Sequence, residues 1–346
     1  MAIDPSPVSD DDVDDPIEYF LEDQQYHGRS DRTIEAYERV LRRFESFVSQ
    51  DTTRNPASVT QRECMSWVHS LRGELESSTI AIYASYVHRF YDYMVTIGAF
   101  DANPMALVLE EMDESIDTDP SRRDLSVLEM RGFVADITHP LERALVLTML
   151  KTGVRVGELC NLDLRDVHID ADAIAYDGAP RVQLESKPRS LFVDADAIRG
   201  TVVNGERRSA SNKRKRSTIV PIDDELEAVL VEWLAIRPDP LSPARPLFLD
   251  TGGSWGERLE PSDVRYVVER HARRHGWYRT GGGATENVTP HYFRHFFTTH
   301  LRDRTGDRGV VKYLRGDVAT DVIDTYTHSW GDRVRSVYEE NIYSLF

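Results

Sequence analysis

The stretch PLERALVLTMLKTGVRVGELCN, residues 140–161 of this 346-residue chain, decides the fold of its second half. Its apolar residues predict a helix over 140–152 that ends at Gly153, because glycine lets a chain turn sharply after a helix. A short helix is expected to follow, with Arg155 at its start. There the guanidinium would lie beside free backbone N–H groups, a favourable place for an anion, with Glu158 as a supporting partner. An arginine at a helix start is more often an ordinary surface residue, so this pattern needs other signals beside it.

Outward from this stretch, the pattern from residue 123 onward is mostly helical with a strand-rich middle. Residues 172–220 contain four short β-prone runs, AIAY, RVQL, SLFV and TIVPI, around polar turns. These runs predict a small antiparallel sheet. Further helices are expected over 222–236, 261–275, 290–303 and about 308–327.

The first part of the chain predicts a small helical bundle over residues 15–109. Apolar residues at three- and four-residue spacing mark a helix over 33–48, and a second helix is expected after Thr60. Ser78 is the predicted cap of a third helix, which ends near Gly98. The expected fold is therefore mainly α with a small antiparallel β-sheet (α+β). The predicted division is an acidic disordered arm over 1–14, the helical domain over 15–109, an acidic linker over 110–122 and a second domain with a C-terminal tail over 123–346.

Composition places the chain in the cytoplasm and, taken alone, argues against a polyanionic partner. The chain carries 59 acidic against 42 basic residues, for a net charge of −17, and only five of the basic residues are lysine. An acid-rich, lysine-poor chain fits the salt-rich cytoplasm of a halophilic archaeon. No run approaches the roughly 18 apolar residues of a membrane span, and residues 1–15 lack the basic start and the apolar run of a secretory signal. The two cysteines are too few for a disulfide framework.

Two basic stretches weaken the argument against a polyanion. They are GERRSASNKRKR, residues 205–216, and VRYVVERHARRHGWYR, residues 264–279, where aromatic residues are interleaved. Such patches on an acidic protein are typical of a nucleic-acid footprint, although solvated loops and helix faces are the simpler alternative. The candidate DNA-binding residues are Arg207, Arg208, Arg214, Lys215, Arg216, Arg270, Arg273 and Arg274.

Two further motifs carry residues suited to phosphate chemistry. In HYFRH, residues 291–295, His291 and Arg294 share one helix face, so together they can hold one phosphate while the histidine moves a proton. In DTYTH, residues 324–328, Tyr326 could act as a covalent nucleophile if neighbouring cations activate its phenol. Each motif alone is more often an ordinary amphipathic helix or a core tyrosine.

Together, TGVRVGEL, HYFRH and TYTH resemble the motifs of the tyrosine recombinase/integrase family, the phage-integrase and Xer-like proteins, in order and approximate spacing. GRSDRTIEAYERVLRRFESFV, residues 28–48, is similar to that family's SAM-like core-binding domain. The resemblance implies a site-specific DNA recombinase that acts through a 3′-phosphotyrosyl intermediate in integration, excision or dimer resolution. It also implies double-stranded DNA at specific sites as partner, a homotetramer on DNA, and no metal or other cofactor. The alternative is a catalytically silent DNA-binding regulator of the same descent.

The resemblance also assigns roles. Arg155 and Arg294 would hold the scissile phosphate, Tyr326 would attack the phosphorus, and His291 would help with proton transfer. A lysine would protonate the leaving oxygen: Lys213 is the first choice, Lys215 the second and Lys187 the third. Where the family usually has histidine or tryptophan, nine residues before the tyrosine, this chain has Asp317, which could accept a hydrogen bond but would repel a phosphate unless a cation such as Arg315 compensates.

Overall fold

The chain divides into two compact units, Met1–Pro120 and Ser121–Phe346. The computed structural model describes residues 15–49, 56–116, 121–169, 180–317 and 330–346. The predicted strand AIAY and the second half of the helix expected over 308–327 lie outside these residues. The finer division of the chain into arm, domain, linker and tail stays a prediction.

The first unit is a helical bundle, as predicted. Thr60 caps the helix that follows it: its side chain accepts the amide of Glu63, whose carboxylate accepts the Thr60 amide at 2.8 Å. Ser78 is not a cap, because the third predicted helix already begins at Ser77 and Glu76 holds the cap position without a side-chain hydrogen bond. The helices are α1 (Pro16–Tyr26), α2 (Asp31–Val48), α3 (Gln61–Leu71), α4 (Ser77–Thr96) and α5 (Ala106–Glu111).

The second unit is mostly helical with short strands, so the predicted α+β class is confirmed. The helices are α6 (Val127–Ala135), α7 (Pro140–Thr152), α8 (Val156–Cys160), α9 (Asp224–Ile236), α10 (Pro261–Arg274), α11 (Pro290–Thr305), α12 (Arg308–Arg315) and α13 (Trp330–Asn341). The strands are β1 (Val167–His168), β2 (Ser190–Val193), β3 (Val202–Val203), β4 (Glu206–Arg207) and β5 (Thr218–Pro221).

The strands form two small antiparallel sheets. One has the order β1-β2-β5, with Leu191 opposite Val220, and the other is the hairpin of β3 and β4. SLFV and TIVPI are therefore strands, as predicted. The prediction for RVQL is wrong: Val182–Leu184 form a 3-10 turn, in which only Leu184 is buried.

Helix α7 is the central helix of the second unit. Every residue from 144 to 152 is buried, and both α9 and α11 pack against this helix. A helix that is buried on all its faces belongs to the core. Its last residue and the turn at Gly153 are consequently held in place by the core, and this turn begins the site described next.

Candidate functional site

The turn at the end of α7 sets the position of Arg155. Gly153 adopts the left-handed conformation (φ 65°), and a Cβ atom there would collide with the ring of Phe297. The turn makes Arg155 the N-cap of α8, as predicted. Its backbone N–H and its Nη1 each donate to the Glu158 carboxylate at 2.9 Å, so the predicted supporting partner holds the arginine at two points.

Glu158 is a buried carboxylate shared by two arginines. Its Oε2 accepts a hydrogen bond from Arg214 Nη2 at 3.1 Å, in addition to those from Arg155. Burial would raise the pKa of Glu158, but the charge of Arg214 and the amide of Arg155 outweigh it and the pKa is lowered. Glu158 therefore stays ionised and orients both guanidiniums.

Arg294 lies on the buried face of α11. Its Nη1 donates to the Gly153 carbonyl at 2.7 Å and its Nη2 to the Arg315 carbonyl at 3.0 Å. Its side chain is 3% exposed, whereas that of Arg155 is 26% exposed. Burial, and then the nearby charge of Arg155, lower the pKa of Arg294. A desolvated guanidinium beside another cation gains most from an added anion.

Asp317 joins the two arginines. Its Oδ1 lies 3.4 Å from Arg155 Nη2 and 3.3 Å from Arg294 Nη2, and its Oδ2 lies 3.0 Å from Arg315 Nε. With Arg214, the cluster holds four arginines against two carboxylates, Asp317 and Glu158. The excess of positive charge and the outward position of Asp317 make this a place where a phosphate can bind.

The turn that carries Asp317 is built against Arg214. Gly316 is left-handed (φ 69°), and a Cβ atom there would collide with the Arg214 side chain. Arg214 Nη1 donates to the Leu314 carbonyl at 2.9 Å, and the Lys215 amide donates to the Gly316 carbonyl at 3.1 Å. The basic stretch around residue 214 and the Arg-Gly-Asp turn are thus one structural unit, which sequence spacing did not indicate.

His291 lies one turn before Arg294 on α11 and is only partly shielded from solvent. Partial burial, and then the charges of Arg122, Arg294, Arg155 and Arg315, lower the pKa of His291. The imidazole is therefore neutral at pH 7 and able to accept a proton. Arg122 was not among the predicted site residues. Its place at the start of the second unit is the one feature of the sequence that could have drawn attention to it.

The three candidate lysines lie in two places. Lys213 and Lys215 are exposed and flank the buried Arg214, so they belong to the segment that contacts the arginine cluster. On the other side of Lys213, Asn212 is fixed by hydrogen bonds to Asn161 at 2.8 Å and to the Asp194 carbonyl at 2.7 Å. Lys187 instead lines a small cavity with Pro221 and Tyr313.

Tyr326, the predicted nucleophile, lies outside the described residues. In the sequence it falls after α12 and before α13.

Some of the predicted DNA-binding residues are exposed on the surface, whereas others are buried in the interior. Arg208 and Arg214 are corrections: Arg208 is buried against Asp163, with Nη2 2.6 Å from Oδ2, and Arg214 is buried against Glu158. Neither guanidinium is accessible to DNA. Arg270 is half-buried and paired with Glu142, which also accepts from His271 at 2.7 Å. The remaining candidates are exposed: Arg207, Lys215, Arg216, Arg273 and Arg274.

Among the described residues, no group of three His, Cys, Asp or Glu side chains is arranged to hold a metal ion. No helix in this part of the chain is both long and apolar enough to cross a membrane.

Comparisons with known proteins define the class. Residues 135–332 match the phage integrase family, and residues 17–98 match the phage integrase N-terminal SAM-like domain. The chain therefore belongs to the phage integrase family and is a site-specific recombinase of the tyrosine type.

Among its curated relatives are two tyrosine recombinases named XerC. The protein from Halalkalibacterium halodurans is 27% identical over 316 residues, 90% of this chain and 91% of its own length. The protein from Pelobacter propionicus is 23% identical over 314 residues, 90% and 89% of the two chains. A solved structure of the Tn1549 transposon integrase with transposon right end DNA is similar in fold, with a TM-score of 0.64 at 18% identity over 93% of this chain and 97% of that one.

Proposed function

We propose that the chain cuts and rejoins double-stranded DNA at specific sites through a 3′-phosphotyrosyl intermediate, with Arg155 and Arg294 as the clamp for the scissile phosphate. The observation that carries the proposal is the position of their Nη2 atoms, 3.4 and 3.3 Å from one oxygen of Asp317. Two guanidiniums that can reach one carboxylate oxygen can also reach the non-bridging oxygens of one phosphate.

In the proposed reaction the phenol oxygen of Tyr326 attacks the phosphorus. The bond between phosphorus and the 5′ oxygen breaks, and the 3′ phosphate becomes joined to the tyrosine. His291, kept neutral by its surroundings, accepts the phenol proton. Lys213, next to the anchored Arg214, donates a proton to the leaving 5′ oxygen, with Lys215 as second choice and Lys187 as third.

The two arginines would carry most of the transition-state stabilisation. Charge builds up on the phosphate oxygens as the five-coordinate species forms, and fixed cations in a partly desolvated site stabilise that charge without reorganising. Glu158 holds Arg155 in place, and the Gly153 and Arg315 carbonyls hold Arg294. Attack by the 5′ hydroxyl of another strand then reverses the chemistry, so recombination needs no hydrolysis.

Asp317 is proposed as the residue that holds the clamp before DNA arrives. A carboxylate bound to both arginines keeps two repelling guanidiniums together, and its contact with Arg315 gives it a second partner when a phosphate takes its place. We propose that duplex DNA contacts the exposed basic residues Arg207, Arg216, Arg273 and Arg274. Arg270, on the same helix α10 as Arg273 and Arg274, would lie at the edge of this surface. A homotetramer on DNA, a cytoplasmic location and a halophilic archaeal source stay predictions.

A suicide substrate tests the proposal. The probe is a nicked duplex with the cognate site, incubated at high potassium chloride with chelator present, and the readout is a protein–DNA adduct on a denaturing gel. We expect the adduct with the wild-type chain and with Tyr26→Phe, a control at an exposed tyrosine of the first unit. Tyr326→Phe is expected to form none.

Two outcomes would contradict the proposal. An adduct that persists in Tyr326→Phe means another nucleophile. Binding of the correct site without any adduct favours the silent DNA-binding regulator, for which the family relationship gives no support.

A further inference from the structure

We propose that two tyrosine hydroxyls of the 330–346 segment, those of Tyr338 and Tyr343, position the arginine clamp by capping the end of α7. Both side chains are fully buried. This inference rests on the proposed function, because it assigns positioning residues to the same reaction.

The end of any α-helix leaves its last carbonyl groups without partners inside the helix. At the end of α7, two of these carbonyls accept hydrogen bonds from the 330–346 segment. The Tyr343 hydroxyl donates to the Leu150 carbonyl, and the Tyr338 hydroxyl donates to the Lys151 carbonyl at 2.9 Å. Two residues beyond Lys151, the Gly153 carbonyl accepts Arg294 Nη1 at 2.7 Å. One clamp arginine and two tyrosines therefore cap the same helix end side by side.

A buried lysine anchors the 330–346 segment to this helix. Lys151 has no exposed surface, and its Nζ donates to the Tyr343 carbonyl at 2.6 Å. The ammonium is also 2.5 Å from Asp223 Oδ2 and 2.6 Å from Glu225 Oε2. Glu225 in turn accepts the amide of Leu345 at 2.8 Å. A lysine charge in the interior requires all of these partners, so the segment is a fixed part of the domain core.

The geometry points to an effect on the clamp rather than on folding alone. Only Thr152 separates Lys151 from Gly153, and Arg155 follows two residues later. If the end of α7 loosens, the Gly153 carbonyl and the start of α8 move. The guanidiniums of Arg294 and Arg155 then no longer converge on the same phosphate. A misplacement of about 1 Å in a catalytic constellation can cost roughly 10²-fold in rate.

The experiment compares Tyr338→Phe and Tyr343→Phe with the wild-type chain, because phenylalanine keeps the ring and removes only the capping hydroxyl. Cleavage of the nicked duplex is measured in single turnover at saturating DNA, below the thermal transition of every variant. We expect the cleavage rate to fall about 10-fold in each variant. DNA affinity is expected to stay within about 2-fold, because neither hydroxyl is available to DNA.

A matched control is Tyr91→Phe, which removes a buried hydroxyl that donates to the Pro56 carbonyl at 2.9 Å in the first unit. Its cleavage rate should stay within about 2-fold of wild type. A second test combines Tyr338→Phe with Arg294→Lys: because both act on one constellation, the combined loss should be smaller than the product of the single losses.

Each outcome is decisive. Rates within 2-fold of wild type in both phenylalanine variants, or losses that multiply in the combined variant, overturn the positioning role while leaving the proposed function intact. A wild-type chain that forms no Tyr326-dependent adduct overturns the proposed function and this inference together.

Discussion

Two clusters of arginines and carboxylates lie in the second unit, and they differ in exposure. The open cluster consists of Arg155, Glu158, Arg214, Arg294, Arg315 and Asp317. The sealed cluster consists of Asp163, Glu206, Arg208 and Arg258. Side chains of the open cluster reach 26% exposure at Arg155 and 32% at Asp317, whereas those of Asp163 and Arg208 are 0% and 1% exposed.

The shortest distance from the shared aspartate to each of its arginines also differs between the clusters, and it is smaller in the sealed cluster. In the sealed cluster Asp163 lies 2.6 Å from both Arg208 and Arg258, and Asn204 donates to it at 2.5 Å. In the open cluster Asp317 lies 3.3 and 3.4 Å from its two clamp partners. Short, buried bonds mark a structural network, while long, accessible ones mark a carboxylate that another anion can replace. Similar residue types therefore serve stability in one place and, as we propose, chemistry in the other.

The largest expected effect is at the clamp. Arg294→Ala should lower the single-turnover cleavage rate by about 10³-fold or more, because it removes a fixed cation from the charge that develops on the phosphate. Adduct formation on the nicked duplex measures the rate, and Arg302→Ala, at an exposed arginine of the same helix α11, is the control. A loss of less than 10-fold would remove Arg294 from the clamp.

The sealed cluster should respond in stability instead. Asp163→Asn leaves two buried guanidiniums without their main counter-charge and should lower the free energy of unfolding by about 3–5 kcal/mol. Denaturant unfolding of the second unit measures this loss. Cleavage per folded molecule should stay near wild type, and a large loss in that rate would contradict the distinction between the clusters.

Asp317 sharpens the comparison further. Asp317→Asn should strengthen DNA binding several-fold, corresponding to about 1 kcal/mol, because it removes the internal competitor and the repulsion of the phosphate. Titration of labelled duplex at fixed salt measures the affinity, with Asp303→Asn, at an exposed carboxylate of α11, as the control. Unchanged or weaker binding would show that the carboxylate does not compete with phosphate.

The smallest expected effect is on His291. In the DNA-free chain its imidazole should titrate below the ordinary value of 6.5, because partial burial and neighbouring arginines disfavour the imidazolium. Bound DNA should raise the midpoint, since the phosphate adds negative charge. NMR titration of the ring protons measures both values. A DNA-free midpoint at or above 6.5 would contradict a pKa of His291 that its surroundings lower.

Much of the fold could be predicted from local pattern. The helix over 140–152, its stop at Gly153 and the start of the next helix at Arg155 follow from apolar spacing and from the conformational freedom of glycine. The run RVQL was misread because β propensity is decided by partners: this run has none in the sheet and forms a 3-10 turn.

The candidate site was predictable in its residues but not in its contacts. Arg155, Glu158, His291 and Arg294 could be selected because their chemistry and spacing are visible in sequence. The burial of Arg208 and Arg214 could not, because a basic run looks the same whether a guanidinium faces solvent or a buried carboxylate. The sequence showed that Arg315 lies two residues before Asp317, but it did not show that the two side chains pair.

The sequence by itself determined the period of each helix, the turn at Gly153 and the set of residues able to hold a phosphate, since these depend on side-chain chemistry and near neighbours. The tertiary structure decided which arginines meet. Arg155 and Arg294 are 139 residues apart, and only the packing of α7 against α11 brings both to Asp317. It likewise decided that two tyrosines near residue 340 cap a helix that ends at residue 152. Unpaired carbonyl groups and buried charges must find partners, and the whole fold determines which partners lie within reach.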